Sequence, residues 1–184
     1  MKYIQGNIWD FLKKNKVDML LCPTNGYIKN GKGIMGAGFA KDVRNRWPDV
    51  EHNLAQEMRQ HQIENGVYTR AEKANIPHLL KVTSENDYSM RIYSFPTKPI
   101  YCYDPDDLLP EYKGGIKPDG MWEGWKSRSL PTLIERSAYL WKKRIDGILD
   151  SNVVTVLPKV GTGKGGLTWE EVEGILSRYF KTDN

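Results

Sequence analysis

The chain has little with which to build a covalent framework. Its 184 residues include two cysteines, Cys22 and Cys102, set in unrelated surroundings. Such a pair makes no disulfide scaffold and fits a reduced, cytoplasmic setting. Histidine is scarce as well: His52, His61 and His78 never fall at i, i+4 spacing, which excludes a zinc-binding helix face. There is no G-x-S-x-G elbow and no Cys/His pairing that the sequence reveals. No apolar run approaches the length of a membrane span, and no charged-then-apolar segment opens the chain. No internal repeat is visible. The expectation is a cytoplasmic protein of one domain, residues 1–184, with no membrane partner and no cofactor.

What is present fits a globular domain. Hydrophobic residues make up 39% of the chain, enough for a packed core. The net charge of +4 and an isoelectric point near 8.9 are mildly basic and compatible with polyanionic partners.

Two glycine-rich stretches stand far apart, each between a predicted strand and a predicted helix. The first is Gly31-Lys-Gly-Ile-Met-Gly-Ala-Gly38, after the apolar run Val17–Cys22; the second is Gly161-Thr-Gly-Lys-Gly-Gly166, after Val153–Leu157. Glycine lets backbone N–H groups turn toward a ligand, and a helix N-terminus adds partial positive charge. Two such stretches on one small domain suit the two phosphates of a diphosphate, and so a nucleotide-derived ligand. Both fit G-x-G-x-x-G, yet neither is a dinucleotide fingerprint. Pro23 to Asn30 separate the first from its strand, and too few residues follow the second for the remaining elements. A Walker A loop is excluded because Phe39 follows Gly38 where Lys-Ser/Thr is required.

The surrounding pattern alternates strands and helices. Strands are predicted at Lys2–Gln5, Val17–Cys22, Gly66–Arg70, Leu79–Val82, Arg91–Phe95 and Val153–Leu157. Helices are predicted at Trp9–Asn15, Phe39–Arg46 and from Val50 to about residue 62, the second ending at Trp47-Pro48. A further helix starts near Ser129 and carries Leu133, Ile134, Leu140, Trp141, Ile145 and Ile148. The last opens on Thr168-Trp-Glu-Glu171, a capping box, with Val172, Ile175, Leu176 and Tyr179 facing inward. This alternation predicts a layered α/β domain.

Pro99 to Gly124 breaks the pattern and reads as an irregular insertion at about 99–124, rich in Pro, Gly, Asp and Tyr. Asp104, Asp106 and Asp107 read as a solvated acidic loop, and no metal is expected. Tyr101, Tyr103, Tyr112, Trp122 and Trp125 suit either stacking on a base or anchoring the loop.

Five short motifs in order carry a family resemblance: Gly6-Asn-Ile8, Pro23-Thr-Asn25, Met35-Gly-Ala-Gly38, Gly161-Thr-Gly163 and Leu167-Thr-Trp169. Together they resemble a macrodomain. Phe95-Pro-Thr-Lys98 and the late Gly-Gly-Leu-Thr-Trp resemble the branch holding the DNA ADP-ribosyl glycohydrolase antitoxins and the terminal ADP-ribose protein glycohydrolase.

The resemblance implies a three-layer α/β/α fold with a mixed central sheet, binding ADP-ribose or an ADP-ribosylated substrate. Asn7 and Ile8 would lie at the adenine end, and Asn25 at the distal ribose. Met35, Gly36, Ala37 and Gly38, with Gly161, Thr162, Gly163, Lys164 and Gly165, would enclose the diphosphate and distal ribose. Lys98 would attack the anomeric carbon, although lysine is ordinarily protonated and needs desolvation or a nearby cation to act so. Nucleic acid is the preferred modified substrate, on the branch resemblance, the basic charge and the run Trp122 to Arg128. The alternatives are a non-catalytic reader of ADP-ribose or a related nucleotide signal, and a phosphatase of ADP-ribose 1″-phosphate.

The chain departs from the pattern in places. Gly165 stands where some lysine-dependent relatives have an acid, and Cys22 replaces a frequent asparagine. Asn7 stands where many macrodomains have aspartate, and a closing edge strand present in many relatives is expected to be missing after the last helix.

Overall fold

A computed structural model of the chain describes residues 2–64, 75–81, 90–113, 120–147 and 153–180, with the backbone alone at 62–64. In chain order the strands are β1 Met19–Asn25, β2 Ile28–Lys29, β3 Lys32–Gly33, β4 Leu79–Leu80, β5 Arg91–Lys98, β6 Tyr101–Cys102, β7 Trp122–Glu123 and β8 Thr155–Val156. The α-helices are α1 Ile8–Lys14, α2 Gly38–Arg46, α3 Val50–Glu64, α4 Pro131–Asp146 and α5 Trp169–Leu176.

The central sheet runs β4-β5-β1-β8. β1 pairs in parallel with both β5 and β8, while β4 runs antiparallel to β5, so the sheet is mixed. β1 and β5 are buried along nearly their whole length, as strands covered on both faces must be. Successive residues then divide between two cores. Leu20, Cys22 and Ile92 pack with Leu12 of α1, Val43 of α2 and Val50, Leu54 and Met58 of α3. Met19, Leu21, Tyr93 and Phe95 pack on the other side with Ile134, Ala138 and Trp141 of α4 and Val172, Ile175 and Leu176 of α5. Burying each of these large side chains is worth roughly 1.5–3 kcal/mol. The result is the expected three-layer α/β/α sandwich. Among the described residues no helix is long and apolar enough to cross a membrane.

The helix boundaries follow local chemistry. Asn7 caps α1, its side-chain oxygen accepting from Trp9 N–H at 2.8 Å. α2 stops at Trp47, before Pro48, as predicted. Pro131 opens α4 where its missing N–H costs nothing. The capping box of α5 forms in full: Glu171 N–H donates to Thr168 Oγ1, and Thr168 N–H donates to Glu171 Oε2.

Four sequence expectations need revision. Lys2–Gln5 forms no strand, because no described strand lies beside it; Tyr3 instead rests edge-on against Trp169, with ring centroids 5.9 Å apart. The helix ends at Leu176, so Tyr179 lies beyond it. The insertion is not wholly irregular: β6 and β7 pair within it, and Cys102, Leu108 and Trp122 form a small core. Gly31 belongs to a hairpin rather than to a ligand loop: Asn30 and Gly31, at φ 50° and 76°, are the two left-handed residues of the β2–β3 turn. The predicted strand Gly66–Arg70, together with Val82 and Ile148, lies outside the described residues.

Candidate functional site

The C-terminal ends of parallel strands are where α/β folds gather reactive groups. Here Asn25 closes β1 and Lys98 closes β5, paired across the strands after a register shift at Thr24. Thr97 is the extra residue of this bulge, a device that re-aims the following side chain.

Asn25 is buried and ties the strand end to the first glycine stretch. Its amide donates to Ile34 O at 2.7 Å, and its carbonyl accepts from Tyr27 N–H at 2.9 Å. Gly33 is packed rather than exposed, since a Cβ there would meet Leu54 at 2.6 Å. Met35 is buried and donates its N–H to Glu51 Oε1 at 3.2 Å. Gly36, Ala37 and Gly38 are exposed, and α2 starts from Ala37 with no side-chain cap. Its first N–H groups and its dipole are thus presented by bare backbone, the chemistry an anion needs. Trp9 stacks on Phe39 at 5.1 Å, which sets the first turn of α1, with Asn7 and Ile8, beside the first turn of α2. Asn7 and Ile8 are joined to the rest of the site through that stack.

The second glycine stretch forms a single 3₁₀ turn, Gly163–Gly165. Gly165 is buried, its carbonyl accepting from Ser129 N–H at 2.7 Å, and a Cβ there would meet Ser129 Oγ at 2.6 Å. The space an acid would need at position 165 is therefore occupied. Gly163 has nothing within 4 Å of its Cβ direction. The half-buried Thr162 and the exposed Lys164 flank that open position.

Lys98 joins these parts. Its Nζ donates to Lys164 O at 2.9 Å and to Trp125 O at 3.3 Å. Burial pulls its pKa down from the ordinary 10.5 to about 8; the Glu111 carboxylate works against that shift and the Lys164 ammonium adds to it. Its own carbonyl accepts from Asn75 Nδ2 at 2.9 Å. Cys22, by contrast, is fully buried, and desolvation pushes its thiol far up, so it is packing and not a nucleophile.

Sequence reading missed Asn75, Trp125 as a backbone acceptor, Ser129 and Glu111. None carries a sequence signal: each acts through a contact with a residue distant in the chain. Trp122, expected in an aromatic-basic run, is buried with Cys102 and Leu108. Tyr112 and Trp125 stand edge to face at 5.4 Å, with the Lys126 ammonium 5.1 Å from the Trp125 ring. Asp104 caps the short turn Pro105–Asp107 by accepting from Asp106 N–H. Among the described residues no three His, Cys, Asp or Glu side chains gather as metal ligands.

No protein family and no curated protein matches the chain. Among solved structures it is similar to a protein of unknown function from Bacteroides thetaiotaomicron, with a TM-score of 0.51 and 13% identity. The match covers 90% of this chain and 81% of that one. At that identity the likeness speaks to the α/β fold alone.

Proposed function

We propose that this protein is an ADP-ribose-binding macrodomain that hydrolyses an ADP-ribosyl linkage through Lys98, with ADP-ribosylated nucleic acid as its preferred substrate. The observation that carries the reading is the desolvated Lys98 amine, held between the second glycine turn and the insertion at the end of β5. With a pKa of about 8, roughly a tenth of the amine is neutral at pH 7, against about one in three thousand at the ordinary value. A neutral amine that donates both N–H bonds to carbonyls keeps its lone pair for attack.

The chemistry balances without a cofactor. The Nζ lone pair forms a bond to the anomeric carbon, the bond to the modified group breaks, and that group leaves with the electron pair and the proton lost from Nζ. Water then adds at the same carbon, ADP-ribose departs, and a proton returns to Nζ. The uncapped start of α2 and the open turn at Gly163 supply the backbone N–H groups that a diphosphate needs. The nucleic-acid preference rests on the branch resemblance and the basic charge; the Tyr112–Trp125 ring pair of the adjoining segments suits a base.

One observation favours a second reading. Lys98 Nζ bonds two backbone carbonyls, those of Trp125 and Lys164, so the lysine also serves as a strut, as it would in a non-catalytic reader of ADP-ribose. Measuring ADP-ribose released from modified DNA by the wild type and by Lys98→Ala separates the two.

A further inference from the structure

A closed ring of contacts surrounds Lys98. Its amine bonds the carbonyl of Lys164, and the Lys164 ammonium meets Glu111 Oε1 at 3.4 Å. Glu111 sits in the short turn Pro110–Tyr112, which also places the Tyr112 ring against Trp125. The carbonyl of Trp125 returns to the Lys98 amine. The turn is fastened to the rest of the insertion by Leu109 N–H on Lys126 O at 3.0 Å and by the Leu108–Ser127 bridge. One acid and one base, from the insertion and the glycine turn, thus share an ion pair beside a single half-buried amine.

We propose that Glu111 and Lys164 are an opposed pair of positioning residues for Lys98, the acid restraining its reactivity and the base promoting it. This inference rests on the lysine reading above. Coulomb's law gives the two side chains opposite signs of effect on a neighbouring amine. Neighbouring charged side chains are engaged elsewhere: Lys126 with Glu123 at 2.8 Å, Lys113 with Asp106 at 3.5 Å, and Arg128 with Gly166 O at 2.7 Å. Burial is the main influence that lowers the Lys98 pKa, with the Glu111 carboxylate raising it and the Lys164 ammonium lowering it.

The test is pulse labelling of the full chain with acetic anhydride across pH 6–11, reading Lys98 acetylation by peptide mass spectrometry. Glu111→Gln should lower the Lys98 midpoint and speed its labelling about threefold at pH 7. Lys164→Met should raise the midpoint and slow labelling by a similar factor, and Glu111→Asp should return toward wild type. Melting curves verify that each variant folds. Unchanged midpoints, or shifts in the same direction for both variants, overturn the proposal, because loss of a structural latch moves both alike. The label reads the lysine itself: opposed midpoints in a protein that releases no ADP-ribose would uphold this pair and sink only the hydrolase reading.

Discussion

Asn25 and Lys98 occupy paired positions at the ends of two neighbouring parallel strands, one residue past a bulge at Thr97. From there Asn25 reaches the backbone leading into α2 and Lys98 reaches the second glycine turn. The pair therefore fixes both glycine-bearing walls of the site to one strand junction, and the following expectations depend on it.

Lys98 should govern turnover through its protonation. An amine nucleophile must be neutral to attack, so under the proposed mechanism the rate should rise about tenfold per pH unit below its value near 8 and level off above it. Lys98→Ala should cut ADP-ribosyl hydrolysis by at least about a hundredfold while leaving ADP-ribose affinity within a few-fold. Release assays and calorimetric titration measure the two separately. A phosphatase of ADP-ribose 1″-phosphate would keep its activity in the same variant.

The same burial carries a stability signature. Because the folded value lies near 8 and the ordinary one at 10.5, both states hold the proton below pH 8 and the cost of burying the charge is then fully present. Between pH 8 and 10.5 the folded state has released its proton, and the cost fades. Lys98→Met should therefore raise the melting temperature most at pH 7 and below, by a few degrees, with the gain shrinking over that window. A gain that grew with pH would contradict the assignment.

Gly165 should be intolerant of any side chain for a reason that can be reversed. Its Cβ would meet Ser129 Oγ at 2.6 Å, so Gly165→Ala should cost about 1–3 kcal/mol in urea unfolding. In a Ser129→Ala background the nearest contact becomes the Cβ, at 3.3 Å from the added atom, and most of the cost should vanish.

Asn7 has a structural duty that can be separated from a ligand one. Asn7→Ala should lose the cap of α1, about 0.5–2 kcal/mol, whereas Asn7→Ser should keep it. Both should weaken ADP-ribose binding if the amide meets the adenine. Full affinity in Asn7→Ser would reduce this residue to a cap.

Much of the fold was legible because its signals are local. Pro48 ends α2, Thr168 and Glu171 begin α5, and the spacing of Val50, Leu54 and Met58 marks α3. Strand existence is a property of neighbours, so Lys2–Gln5, although apolar and β-prone in part, stays unpaired. The site divides the same way. Lys98 and the glycine stretches are visible as motifs, and Gly33 and Gly31 look like part of one until Leu54 and the hairpin turn account for them. Glu111, Asn75 and Ser129 are invisible, since each acts through a partner between 23 and 53 residues away or in a separate loop.

The most direct test incubates the purified protein with ADP-ribosylated DNA and, in parallel, with ADP-ribosylated protein, and measures free ADP-ribose for wild type and Lys98→Ala. Release from modified DNA that disappears in the variant is the predicted result. Equal release by both proteins, or none from either substrate alongside measurable ADP-ribose binding, would contradict lysine-dependent hydrolysis.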